Sequence, residues 1–138
     1  MWSLYNYTNF PVVNVSFHGN LNKQEKFNDF INKWKKLYKE RIPFSFVFDT
    51  KECGYVNIKY CFRMSAFIKE LKRAQKQYLQ KSIIIYYRGL IKRLLQLTFS
   101  IQSPVAPVYL VNGNDNKEET IRLLNNNIIP NNVIIYLP

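Results

Sequence analysis

The sequence predicts an α/β fold built on a mostly parallel central sheet. The main signal is a short apolar run, Phe44–Phe48, followed by a cationic amphipathic segment and a second apolar run, Ser82–Tyr87. Two buried strands joined by a helix form a βαβ unit, whose strands are parallel. Both runs carry apolar residues on both faces, as central parallel strands do. We expect a core sheet of four or five strands, with residues 46–48 and 83–85 buried in adjacent strands.

The residues before this unit predict an N-terminal β-hairpin and a first amphipathic helix. Leu4–Thr8 and Val12–Phe17 alternate as strands do, and residues 9–11 contain the Asn and Pro that turns favour. Asn20 or Asn22 is suited to cap the helix that follows, since asparagine is a preferred N-cap residue. Aromatic and aliphatic residues recur after this point at helical spacing.

The rest of the chain continues the alternation of helices and strands. Helical periodicity, proline breaks and short apolar runs define each element. The predicted elements are a loop at Lys51–Asn57, a second helix from about Ile58 to Leu79, a third at Leu90–Ile101, a strand at Val108–Val111, a short helix at Lys117–Leu124 and a strand at Val133–Leu137. We expect residues 1–113 to form the α/β domain. Residues 114–138 add a helix and an apolar, strand-like tail that packs on the domain or on a partner.

Four segments of the chain resemble the STAS superfamily, in particular its small stand-alone domains. They are Phe10–Phe17, Phe46–Thr50, Met64–Ile68 within the long helix, and Pro104–Val111. The resemblance covers about residues 10–113. It implies a STAS-like α/β domain with a mostly parallel sheet, an N-terminal β-hairpin and amphipathic helices.

The chain departs from the regulatory STAS pattern at one place. In those domains, a serine after the strand equivalent to Phe46–Thr50 is phosphorylated by a partner kinase. The corresponding residues here, 54–60, contain neither serine nor threonine. The resemblance therefore implies a docking domain that works through protein contacts without the phosphorylation switch.

The chain lacks a sequence pattern typical of catalysis or of metal and cofactor binding. His18 is the only histidine and has no nucleophile placed beside it by a motif, and Cys53 and Cys61 match neither zinc nor redox spacing. Asp49 ends a parallel strand, where α/β folds place ligands, yet it also suits an Asx turn, which is the interpretation that we favour. We expect a protein that is not an enzyme and that has no cofactor.

The positive charge of the chain indicates a polyanion as the alternative binding partner. Lysine and arginine number 20 against 9 acidic residues, and the formal net charge is +11. Charge of this size favours nucleic acid, an anionic lipid surface or an acidic protein, although a basic helix is often only a solvated face. The expected contact residues lie on helices one and two: Lys33, Lys36, Lys69, Lys72, Arg73 and Lys76.

The apolar tail is the other candidate contact. An exposed apolar strand at a terminus promotes aggregation unless it is paired. We therefore expect the tail to close the domain's own sheet or to add a strand to a partner. The residues expected to pair are Val133, Ile134, Ile135, Tyr136 and Leu137.

Together these features predict a non-enzymatic STAS-like interaction module that is a small structural component of a larger assembly. The alternative is a basic domain that binds nucleic acid or anionic lipid. The frequent asparagine, lysine, isoleucine and tyrosine residues indicate an AT-rich genome, so a virion component or part of an organelle complex is the kind of assembly expected. Without a signal peptide or a transmembrane segment, we expect the chain to be intracellular, soluble or assembly-bound, and not secreted.

Overall fold

A computed structural model describes residues 1–138 as an α/β fold with eight strands and four helices. The strands are β1 (Ser3–Asn6), β2 (Val12–Phe17), β3 (Gly19–Leu21), β4 (Phe44–Asp49), β5 (Cys53–Val56), β6 (Leu79–Tyr86), β7 (Val108–Asn112) and β8 (Ile134–Tyr136). The helices are α1 (Gln24–Lys39), α2 (Lys59–Leu71), α3 (Gly89–Ile101) and α4 (Lys117–Asn125).

Six strands form one sheet in the order β1-β2-β4-β6-β7-β8. The four inner strands run parallel to one another, whereas β1 and β8 pair antiparallel at the two edges. The predicted α/β class, the mostly parallel sheet and the N-terminal hairpin of β1 and β2 are confirmed. The sheet has six strands rather than four or five because both terminal strands join it. The remaining strands, β3 and β5, pair parallel in a small second sheet.

The three crossover helices lie on one face of the sheet. The chain passes from β2 to β4, β6 and β7 in one direction across the sheet, and right-handed crossovers in one direction place their helices on the same side. Helices α1, α2 and α3 accordingly share a core with the face that carries Phe46 and Phe48, here called the first face. Helix α4 packs on the opposite, second face, which carries Val47 and Ile83.

The predicted central residues are buried as expected. Phe46, Val47 and Phe48 lie in β4, and Ile83, Ile84 and Ile85 lie in the adjacent β6; all six are at most 8% exposed. The sheet register pairs Val47 with Ile83 and Phe48 with Ile84. Apolar side chains on both faces are needed here because helices cover β4 and β6 on the first face, and the second-face side chains of these strands share a core with α4.

The second helix is shorter than the sequence predicts. We expected it to reach Leu79, but α2 ends at Leu71, and Leu79 is the first residue of β6. Residues 72–76 are all exposed, so a further helical turn would bury nothing. The side-chain amide of Gln77 also donates to the Leu71 carbonyl oxygen at 2.7 Å, which satisfies a group left free at the helix end.

Two local predictions near the first helix are wrong for the same reason. Asn20 does not cap α1, whose N-cap residue is Lys23 with no side-chain cap bond. Its side-chain oxygen instead accepts a hydrogen bond from the Tyr55 N–H at 2.8 Å, in the segment predicted to be a loop. That segment forms β5, and a Cβ at Gly54 would lie only 2.2 Å from the Asn20 side-chain oxygen. A contact between distant segments therefore replaces the local cap.

The C-terminal segment, residues 114–138, packs on the rest of the domain. Leu124 of α4 is 2% exposed and joins Val47, Ile83, Ile85 and Val111 in the core of the second face. After α4, the chain returns as β8, which pairs antiparallel with β7. The segment thus supplies both a covering helix and an edge strand to the sheet that residues 1–113 form.

Replacing Phe48 with Ala is expected to lower the free energy of unfolding by about 3–5 kcal/mol, because a large buried side chain is lost from a packed core. The matched control is Phe62→Ala on α2. Phe62 is 54% exposed, so the same truncation there removes little buried surface. Urea denaturation followed by circular dichroism measures both values. Equal losses in the two variants would contradict the aromatic core described here.

Candidate functional site

The second face of the sheet is covered over only part of its width. Helix α4 is the single helix on this face and is about 10 Å wide, whereas six strands span roughly 24 Å. Its side chains pack with β4, β6 and β7. Over β1, β2 and the adjoining side of β4, the second face is therefore an open groove of about 970 Å³. We call this region the open groove.

The floor of the open groove is a strand with one apolar and one polar face. Val13 and Val15 of β2 point to the first face and are at most 1% exposed. Asn14 and Ser16, which alternate with them, line the open groove and are half-buried. Leu4 of the neighbouring β1 also lines it and is 45% exposed. The floor is thus mixed apolar and polar, as protein surfaces that contact other proteins are.

Lys117 lies on the rim of the open groove, at the start of α4. Its ammonium group donates to the Tyr87 hydroxyl at 2.8 Å and lies 5.2 Å from the centre of the Tyr87 ring. The hydrogen bond to Tyr87 is the main cause that raises the pKa of Lys117, and the negative charges of Asp49 and Glu118 add to it. Lys117 is therefore a fixed positive charge at neutral pH on this rim.

Asp49 has a structural partner of its own. Its carboxylate accepts a hydrogen bond from the Lys51 N–H at 2.9 Å, which forms the Asx turn that the sequence favoured for this position. No three His, Cys, Asp or Glu side chains come together where they could hold a metal ion. His18 lies at the end of β2, where its ring nitrogen is 2.9 Å from the Ser16 hydroxyl.

The structure separates the basic residues predicted to act together. Lys33 is half-buried and forms an ion pair with Asp29 at 3.0 Å, on the side of α1 that faces β1, so it is held within the domain. Lys36 is exposed on α1. The remaining four, Lys69, Lys72, Arg73 and Lys76, are exposed around the end of α2, and the last three lie beyond the helix on which they were predicted.

These four residues, the α2 basic cluster, also have a structural explanation. Positive side chains at a helix C-terminus interact favourably with its partial negative charge. Within the cluster, Lys72 donates to the Ser103 hydroxyl at 2.6 Å and Lys76 lies 5.7 Å from the Tyr78 ring centre. Lys69 and Arg73 form no ion pair. The cluster therefore keeps two side chains that are free to contact a polyanion.

An exposed apolar patch was missed by the sequence reasoning. The spacing of apolar residues in helix two predicts a buried stripe that includes Ile58 and Phe62, but these two side chains are 53% and 54% exposed. The other members of that stripe within α2 are buried as predicted, and two residues outside the stripe, Tyr60 and Phe67, are buried with them; the predicted and buried members are Cys61, Ser65, Ile68 and Leu71. Helical spacing shows which residues share a face, but the centre of the buried face depends on how the helix packs. The buried face of a helix with several apolar stripes is therefore difficult to predict from the sequence.

The tail residues form a strand in cis. Ile134–Tyr136 pairs with Val108–Leu110 of β7, and Val133 and Ile134 are half-buried. The Tyr136 ring lies 5.0 Å from that of Phe99 on α3, so the tail contacts the first-face core. The outer edge of β8, away from β7, has no neighbouring strand. Pairing of this outer edge with a partner strand stays a prediction.

The fold and the open groove define a small α/β domain with three helices on one side of the sheet and a single helix on the other, partly uncovered side. Comparisons with protein-family models, with curated proteins and with solved structures find no match for this chain. The resemblance to the STAS superfamily therefore stays a hypothesis that rests on the sequence segments. None of the four helices is both long and apolar enough to cross a membrane.

Deleting residues 131–138 is expected to lower the free energy of unfolding by about 2 kcal/mol or more, because the deletion removes β8 and the packing of Ile134 and Tyr136. Urea denaturation measures the change. The control is Leu137→Ala, since this side chain is 65% exposed. An unchanged unfolding midpoint after the deletion would show that β8 adds nothing to the domain's own stability.

Proposed function

We propose that this chain is a non-enzymatic, STAS-like interaction module, a small structural component of a larger assembly, and that its partner covers the open groove. The partner is another protein subunit of that assembly. A virion or an organelle complex is the kind of assembly that we infer from the composition. The open groove, rather than the tail or the α2 basic cluster, is the docking surface in this proposal.

One observation carries the proposal: the parallel strand β2 has one face without a covering layer. Sheets of parallel strands occur almost only where both faces are covered. Here β2 pairs parallel with β4, and the open groove lies over the second face of β2 and the adjoining side of β4. A partner seated in the groove would supply the missing layer.

The chemistry of the open groove favours a protein partner over a polyanion. Its charged lining residues are Asp49, Glu118 and Lys117, so the groove has an excess of acid although the whole chain carries +11. The other lining residues combine neutral polar side chains, including Asn6 and Asn14, with apolar ones. A phosphate backbone would meet repulsion here, whereas a protein surface would find hydrogen-bond partners and apolar contacts.

The open groove also has the exposed tyrosine that protein interfaces favour. Tyr7 follows β1, lines the groove and is 46% exposed. Its ring is stacked on that of Tyr5 with the centroids 6.1 Å apart, and the Tyr5 ring packs against Phe30, so the Tyr7 ring lies at the outer edge of β1 beside the groove. A rigid aromatic side chain loses little conformational entropy on binding, and tyrosine is enriched among the residues that dominate binding energy.

The test replaces a floor residue of the open groove and compares it with the same change on the opposite side. Asn14→Arg places a long, charged side chain in the groove, and Asn32→Arg adds the same charge on exposed α1. Tagged chains are expressed in their native host, and lysates are separated by sucrose-gradient sedimentation. We expect wild type and Asn32→Arg to sediment with a large complex, and Asn14→Arg to remain as free chain.

Two outcomes would contradict this proposal. If both arginine variants sediment like the wild type, the open groove is not the docking surface. If purified wild type is a dimer by analytical ultracentrifugation and Asn14→Arg is a monomer, the groove is covered by a second copy rather than by another subunit. Thermal unfolding of each variant confirms that the substitutions leave the domain folded.

The α2 basic cluster supports a second function, binding of a nucleic acid or an anionic lipid surface. Reversing Lys69, Lys72, Arg73 and Lys76 to Glu is expected to weaken binding and to flatten its salt dependence, because each lost phosphate contact removes about 0.7 from the slope of log K against log salt for single strands. A labelled oligonucleotide and vesicles with anionic lipid are titrated separately, so the two ligands are distinguished.

The control reverses three lysines and one arginine elsewhere: Lys23, Lys51, Lys59 and Arg93, all exposed. Each variant lowers the formal net charge from +11 to +3, since every reversal removes two charges. If both variants lose affinity equally, binding follows total charge and the α2 basic cluster is no specific site. If neither salt nor reversal changes the affinity, the cluster is a solvated face.

A further inference from the structure

An apolar patch lies on the outer surface of the domain, where α2 and α3 run side by side. Ile58 and Phe62 at the start of α2, and Leu90 and Ile101 of α3, are between 44% and 54% exposed. Leu97 of α3 belongs to the same group and is half-buried. We call these five residues the α2–α3 patch. Single exposed apolar residues are common on proteins, whereas a contiguous group of them indicates a binding surface.

The two helices are parallel and closely packed. The Cys61 thiol donates to the Leu94 carbonyl oxygen at 3.6 Å, and the Ser65 hydroxyl donates to that of Thr98 at 3.3 Å. Both pairs are 33 residues apart in the sequence, so the helices run in the same direction and begin at the same end of the domain. Since these small side chains contact the α3 backbone directly, the larger side chains of the patch project outward instead of filling a groove between the helices.

Helix geometry places the α2 half of the patch beside α3. Successive residues of a helix project about 100° apart. Tyr60 faces α1, where its ring lies 5.4 Å from that of Phe27, and the next residue, Cys61, faces α3. Phe62 therefore projects outward on the α3 side of the helix. Ile58 is four residues before Phe62 and shares its face.

The α3 half of the patch faces α2 by the same geometry. Phe99 projects towards β8, where its ring lies 5.0 Å from that of Tyr136. Leu97 is two residues earlier and projects almost in the opposite direction, towards α2. Leu90 and Ile101 share the face of Leu97, since they lie seven residues before it and four residues after it. The two halves therefore form one continuous apolar surface along the line where the helices meet.

The border of the α2–α3 patch is cationic. Of the six charged residues in the two helices, five are basic, and the single acid, Glu70, is paired with Lys35 of α1 at 3.6 Å. Lys59, Lys69 and Arg93 are exposed, lie within one or two turns of patch residues and form no ion pair. These three residues are the border cations. The patch thus combines projecting apolar side chains with free positive charge.

We propose that the α2–α3 patch docks the domain on an anionic lipid surface. The apolar side chains enter the boundary between head groups and acyl chains, and the border cations contact lipid phosphates. Apolar residues flanked by lysine and arginine are typical of protein segments that lie in this boundary. An anionic leaflet also attracts each lysine or arginine near it, which strengthens binding about fivefold per residue.

Other occupants fit the patch less well. A nucleic acid would use the border cations but not the aliphatic side chains, because bases stack on aromatic rings. A second copy of the chain would bring the same cations and be repelled. A protein partner gains most where its side chains fill pockets, whereas a bilayer adapts to side chains that project. The patch lies on the helical side of the domain, away from the open groove, so it does not depend on the docking function proposed above.

The first test changes the apolar side chains without changing the net charge. Ile58→Ser combined with Phe62→Ser is compared with Ile128→Ser combined with Ile129→Ser, a control pair that is 53% and 51% exposed after α4. Binding is measured by sedimentation with phosphatidylcholine vesicles that contain or lack phosphatidylserine. We expect the wild type and the control to bind only the vesicles with phosphatidylserine, and the patch variant to bind these about tenfold more weakly, since less apolar surface leaves water.

The second test shows whether the patch enters the bilayer. Phe62→Trp places a tryptophan in the patch, and Leu137→Trp places one on the exposed tail as the control. Both native tryptophans are buried, so the added residue is the one exposed to lipid. With phosphatidylserine vesicles whose acyl chains carry bromine, we expect the fluorescence of Phe62→Trp to be quenched and that of Leu137→Trp to stay unchanged.

Three results would overturn the proposal. The first is that the wild type does not bind vesicles with phosphatidylserine even at low salt. If the Ile58→Ser and Phe62→Ser pair is then lost from the large complex in the sucrose gradient, the patch docks a protein subunit. The second is that both serine pairs bind vesicles like the wild type, which would assign adsorption to charge alone. The third is equal quenching of the two tryptophan variants. Because all the substituted residues are exposed, each variant is expected to unfold at the temperature of the wild type.

Discussion

The packing of α1 against β4 is the contact on which the rest of this structure depends. The Trp34 ring lies 4.8 Å from that of Phe46, and the Phe30 ring lies 6.1 Å from that of Phe48. Strand β4 pairs with β2 on one side and β6 on the other, so its position sets the register of the inner sheet. Aromatic side chains bury large areas and contact each other in tilted or edge-on geometry, which fixes the helix on the strand.

The placement of all crossover helices on one face produces the open groove. On the first face, three helices pack over the sheet with bulky aromatic side chains and cover it. On the second face, one helix of nine residues leaves β1 and β2 without cover, which creates the open groove. A doubly wound fold with helices on both faces would have covered this surface. The unequal covering of the two faces of the sheet is thus the origin of the open groove.

The distribution of charge differs from what the total suggests. The chain carries +11, yet the open groove has more acidic than basic lining residues. Of the basic residues expected to act together, Lys33 is paired with Asp29, whereas Lys69 and Arg73 remain free at the end of α2. Net charge constrains long-range attraction but does not locate a binding surface. The two proposed contact surfaces therefore recognise different chemistry and are open to separate tests.

The sequence by itself determined the α/β class, the parallel core and the hairpin, because apolar runs such as Phe44–Phe48 report burial on both faces of a strand. It also indicated the Asx turn at Asp49, which depends on neighbouring residues alone. The end of α2 at Leu71, the exposure of Phe62 and the pairing of Asn20 with Tyr55 were decided by the tertiary structure. The open groove was decided by the tertiary structure too. Each is set by contacts between segments distant in sequence, whose free energies outweigh local propensity and leave no periodic signal in the chain.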